Sequence, residues 1–151
     1  MLNQIQTIIL VCFAFFSLAG FILGIKQTTF KKRAYRQTFI FNLIGAFVWA
    51  DTIVFGPFWF LVSLFCLLTK DWLLFLLIVS VFWAVRSLGE IVYWLNEQFA
   101  GLNRNPPEKF RLYPLFKNDS IWFIYQIFWQ CILTITVITS LYLTHLWLKM
   151  I

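Results

Sequence analysis

From Ile5 to Ile25 the chain carries no charged side chain. As a helix rising 1.5 Å per residue, that stretch crosses a hydrocarbon core of about 30 Å. Three more apolar runs of comparable or greater length follow it. One small soluble fold has nowhere to bury four such runs, so lipid is the solvent for most of this chain. Composition agrees, because 12% of the residues are charged and 62% hydrophobic, against about 25% charged in soluble domains. The expected fold class is an all-α polytopic membrane helix bundle forming a single membrane domain over residues 1–151.

Spans are predicted at 5–25, 38–69, 72–98 and 121–147, with loops at 26–37 and 99–120. The second run is the awkward one. Its only charge is Asp51, and as one straight helix it would measure roughly 48 Å, too long for a plain span. Gly56-Pro57 lies in its middle, where proline removes a backbone donor and clashes with the preceding turn. A span kinked near Pro57 is the expectation, and the alternative lays residues 38–49 along the membrane interface. Lys70-Asp71 is the only polar break before the third run, which predicts a tight helical hairpin.

The formal charge of +6 suggests nucleic acid only until the positions are read. Lys26, Lys31, Lys32, Arg33 and Arg36 fall in one inter-span segment and Arg104, Lys109, Arg111 and Lys117 in the other. Nine of the twelve Lys and Arg thus fall in alternate loops, which follows the positive-inside rule. Both loops are therefore predicted to be cytoplasmic and both termini non-cytoplasmic, in a plasma or inner membrane. Lys31, Lys32, Arg33 and Arg36 are the candidate contacts for anionic lipid headgroups, each contributing about 1 kcal/mol near the surface. A lipid bilayer, not a nucleic acid, is the expected partner, together with a second copy or another membrane protein.

Within the spans, polar residues mark the candidate site. Arg86, Glu90, Tyr93 and Glu97 recur at spacings of four, three and four, on one helical face. Counted from the hairpin turn, Asp51 lies about as deep as Glu90, so Asp51, Arg86, Glu90 and Tyr93 form the predicted intramembrane polar cluster, with Glu97 an interfacial charge reaching water. Each charge near a helix centre costs about 2.5–3.5 kcal/mol on insertion scales, so such groups must face protein or water. Two uses are open. The cluster fixes helix packing, or a shared proton within it serves a relay. Gln126, Gln130 and Thr134 make a second polar stripe on the fourth span, read as interhelical glue or as a pathway lining.

Gly20 and Gly24, with Ser17 on the same side, form a GxxxG pattern that permits close helix approach. Cys12, Cys66 and Cys131 are far apart and inside apolar runs, which marks them as small hydrophobes rather than metal ligands. No cofactor or metal is indicated, and no nucleophile and base occur in a recognisable catalytic arrangement. Three function classes are ranked accordingly: a non-enzymatic component of a membrane assembly, a proton-coupled transporter or channel element, and last a membrane-embedded lipid-modifying enzyme.

Overall fold

The computed structural model describes residues 2–101, 105–110, 113–116, 118 and 120–150. Every regular element among them is helical, and the fold is all-α. Helix α1 spans Gln4–Ile25, α2 Trp49–Thr69, α3 Trp72–Phe99, the single turn α4 Tyr113–Phe116, and α5 Ser120–Leu148. Among the described residues α1, α2, α3 and α5 are long and apolar enough to cross a membrane, so the chain is a multi-pass membrane protein. Two compact units divide between Leu76 and Leu77.

In the first unit, α1 begins with a reciprocal cap. Asn3 Oδ1 accepts the Gln6 amide at 2.8 Å while Gln6 Oε1 accepts the Asn3 amide at 2.9 Å, satisfying two orphan donors at once. At its far end the ladder widens into a π-helical turn over Lys26–Phe30. The break expected at Lys70-Asp71 is present, with α2 ending at Thr69 and α3 starting at Trp72. Lys70 takes the left-handed conformation (φ 54°) that ends α2, and Asp71 Oδ1 accepts the Leu74 amide at 2.9 Å to start α3.

The second span departs from expectation. Its helix runs unbroken through Pro57 but begins only at Trp49, so residues 38–48 do not belong to it. They fold back instead. Gln37 and Val48 form an isolated antiparallel bridge, the Thr38 amide donates to the Phe47 carbonyl at 2.8 Å, and the Trp49 amide donates to the Arg36 carbonyl at 3.2 Å. Gly45 (φ 76°) turns the tip, a left-handed position that glycine adopts without steric cost. The physical reason for the late start is Asp51. Its Oδ2 takes the amides of Phe47 and Val48 at 2.9 and 3.2 Å, and Val48 is extended (φ −124°, ψ 161°), so the helix starts immediately after it.

Small residues bring α1 and α2 together. A Cβ on Gly56 would lie 2.8 Å from the Ser17 carbonyl oxygen and 2.9 Å from the Phe21 amide nitrogen, and one on Gly24 would lie 2.0 Å from Thr52 Oγ1. The GxxxG pattern thus serves packing within the chain, with Gly24 against α2 and Gly20 against the folded-back loop, whose Phe41 ring would meet a Cβ there at 3.0 Å. Phe41, Ile44 and Ala46 are buried, whereas Phe39, Ile40 and Leu43 point outward. The loop therefore inserts one apolar side against the helix pair and presents the other to its surroundings.

Trp59 anchors the tip. Its indole N–H donates to the Ile44 carbonyl at 3.1 Å, fully buried, ten residues or about 15 Å along the helix from Trp49. Trp59→Phe keeps an aromatic ring against Phe13 and Phe75 but removes the donor. The expected result is a loss of about 1–2 kcal/mol in thermal unfolding in detergent. An unchanged midpoint would mean that the loop is held elsewhere.

Candidate functional site

Arg86 lies within a residue of the midpoint of α3. Its guanidinium meets Glu90 Oε1 at 3.0 Å, with the two side chains 20% and 14% exposed. One turn separates them on the same helix, so the pair forms as soon as the helix does and remains if α3 parts from its neighbours. Its first effect is to lower the insertion cost of two charges, and joining helices comes second. The next residue, Ser87, is completely buried, and among the described residues its hydroxyl has no hydrogen-bond partner.

Further along the same face, the stripe ends on Asn105. The Asn105 side-chain amide donates to the Tyr93 hydroxyl, and its backbone amide donates to Glu97 Oε2 at 3.1 Å. Its carbonyl accepts the Trp122 indole N–H at 2.9 Å. One loop residue thus ties α3 to α5. Glu97, expected to reach water, is instead 3% exposed and accepts the Asn105 amide. Gln98 Nε2 adds a bridge, donating to Gln126 Oε1 at 2.8 Å and to the Trp94 carbonyl at 3.2 Å. Trp94 stacks on Tyr125 with centroids 4.9 Å apart and meets Phe110 edge-on. Nearer the other end of α3, Ser80 Oγ donates to the Thr136 carbonyl at 2.9 Å and accepts from Ser140 Oγ at 2.9 Å.

Asp51 accepts the two loop amides at the start of α2, and the other members of the predicted cluster lie along α3. Asp51 belongs to the first unit, and Arg86, Glu90 and Tyr93 belong to the second. The stripe on α5 also divides. Gln126 is buried against Gln98, whereas Gln130 and Thr134 are exposed; the Thr134 hydroxyl donates to the Gln130 carbonyl at 2.9 Å. Lys31, Lys32, Arg33 and Arg36 are all exposed around the π-helical turn, beside a shallow groove lined by Ile22, Ile25, Lys26, Phe30 and Lys31. In the second basic segment Lys109 is exposed, and Arg104, Arg111 and Lys117 lie outside the described residues. Asn105 and Gln98 were not singled out from the sequence. An Asn before Pro-Pro reads as a turn, and nothing local reveals that its polar atoms reach three other residues.

Compared with known protein families, curated proteins and solved structures, the chain matches none.

Proposed function

We propose that this chain is a non-enzymatic component of a membrane assembly, with its intramembrane polar groups serving to build and hold its own helices. The observation that carries this reading is that these groups are already engaged within the protein. Asp51 takes two loop amides, Arg86 pairs with Glu90, Tyr93 and Glu97 meet Asn105, and Gln126 meets Gln98. Buried polar groups that satisfy one another specify one packing arrangement at little net gain in stability. In this reading the basic loops face the cytoplasm, anionic headgroups surround Lys31, Lys32, Arg33 and Arg36, and both termini lie on the other side.

The test is a double-mutant cycle in nanodiscs. Arg86→Met and Glu90→Gln should each lower the thermal midpoint, because each removes the 3.0 Å ion pair between them. The double variant should regain most of the loss, with a coupling of about 1–2 kcal/mol. Single variants as stable as the parent, or more so, would overturn the reading, since the fold would then be keeping costly charges it does not need.

One observation favours proton-coupled transport as a second reading: among the described residues the buried Ser87 hydroxyl, one position along α3 from Arg86, has no hydrogen-bond partner and would offer a permeating proton or ion an acceptor. A pH gradient across proteoliposomes that dissipates faster with the parent protein than with Ser87→Ala would support it. Equal rates would remove it.

A further inference from the structure

Gln130 sits near the middle of α5, exposed. Its neighbours on that side, Phe123, Ile127, Val137 and Leu141, are 53%, 38%, 41% and 68% exposed. With Gln130 and Thr134 they recur at spacings of four, three, four, three and four. That is the 3.5-residue repeat of a left-handed helix–helix seam. No hydrogen bond within the described residues engages the Gln130 carboxamide; the Thr134 hydroxyl bonds only its backbone carbonyl. A carboxamide facing hydrocarbon leaves two donors and an acceptor unsatisfied where no water can reach them.

We infer that this face of α5 packs against the same face of a second copy of the chain, with Gln130 hydrogen-bonded to its counterpart. The choice of a second copy follows from the chemistry and the membrane. Two copies inserted in the same sense carry Gln130 at the same depth, and a twofold axis along the membrane normal sets each residue against itself. A carboxamide is both donor and acceptor, so the pair is self-complementary without a change of protonation. Thr134 lies one turn further along the seam. Its hydroxyl proton is committed to its own helix, which leaves lone pairs for a partner amide, and its small size permits close approach. A single polar position in an otherwise apolar seam also specifies register and number of helices. The inference deepens the assembly reading above and rests on it, because it names the partner.

The experiment uses the full chain in liposomes, labelled with donor and acceptor fluorophores at the amino terminus and diluted with lipid. Energy transfer should fall as lipid is added, as a reversible dimer requires. Gln130→Leu should weaken the dimerisation constant about 3- to 30-fold, the effect of one interhelical side-chain hydrogen bond in a membrane, and Gln130→Asn should weaken it less. Far-UV circular dichroism and the thermal midpoint at high dilution check that each variant keeps the parent fold. In a background with Cys12, Cys66 and Cys131 replaced by alanine, Thr134→Cys should oxidise to a covalent dimer and Ile135→Cys, to one side of the seam, should not. Absent energy transfer at every density, transfer unaffected by Gln130→Leu, or crosslinking at 135 but not at 134 would each overturn the inference. The Arg86–Glu90 cycle is read on thermal stability alone, so failure of the broader reading shows there and failure of the seam shows here.

Discussion

Gly56→Ala should unfold the N-terminal unit more readily than any conservative core change, with a loss of about 3 kcal/mol in thermal stability in nanodiscs. The reason is what the added methyl meets. The nearest atoms are the Ser17 carbonyl oxygen, the Phe21 amide nitrogen and Phe21 Cβ, at 2.8–2.9 Å, and two of those are backbone. No side chain can rotate away, so α1 and α2 must separate along their contact. Separation in turn loosens Phe41 and Ile44, which are buried against the same pair. Gly24→Ala meets Thr52 Oγ1 most closely, with Thr52 Cβ and the Trp49 carbonyl oxygen each at 3.2 Å. That hydroxyl can swing aside only by giving up its 2.7 Å bond to the Trp49 carbonyl, so a loss of about 1–2 kcal/mol is expected. Gly89→Ala supplies the internal control, since nothing lies within 4 Å of the added methyl and a helical Gly-to-Ala change gains up to about 1 kcal/mol. A Gly56→Ala protein as stable as Gly89→Ala would mean that the helix pair is looser than the structure has it.

Most of the helical layout is legible because charge and hydropathy dictate it. Lys70-Asp71 stops one helix and starts the next, and the uncharged run from Ile5 is long and apolar enough for a span. What the residues did not reveal was how a polar atom inside an apolar run is satisfied. Asp51 reads as a buried charge when only its distance from the hairpin turn is counted, although an acidic residue at the third position of a helix is also a start signal. Read that way, it removes the overlong second span that a kink near Pro57 was expected to accommodate. Glu97 misled for a related reason. Its burial depends on Asn105, eight positions away across a loop, and no periodicity reports such a contact. Arg86 and Glu90 were readable as a pair because one helical turn separates them, and local geometry is what spacing encodes. The exposure of Gln130 was not readable at all, since Gln126 and Gln130 are equivalent in sequence and only packing separates the buried one from the exposed one.

Asp51→Ala and Asp51→Asn should differ, and the difference separates two uses of this carboxylate. As a helix-start group, Asp51 stabilises the fold by accepting the amides of Phe47 and Val48, with its charge favourably placed at the positive end of α2. Alanine leaves both half-buried amides without an acceptor, at a cost of about 3 kcal/mol, and it frees the junction that holds residues 38–48 against the helices. Asparagine is isosteric and its side-chain oxygen can accept the same two amides. It gives up the charge but keeps the geometry, so about 1 kcal/mol is the expected loss. A proton-carrying or ion-binding carboxylate behaves otherwise, because there asparagine is as damaging to function as alanine while stability is spared. Thermal unfolding of both variants, with each combined with Arg86→Met, decides between them. Losses that are graded from asparagine to alanine and additive with Arg86→Met place Asp51 in the loop junction and Arg86 in a separate pair. Equal losses for the two variants, or strong coupling to Arg86→Met, would instead tie Asp51 to the charges of α3 in a shared intramembrane site.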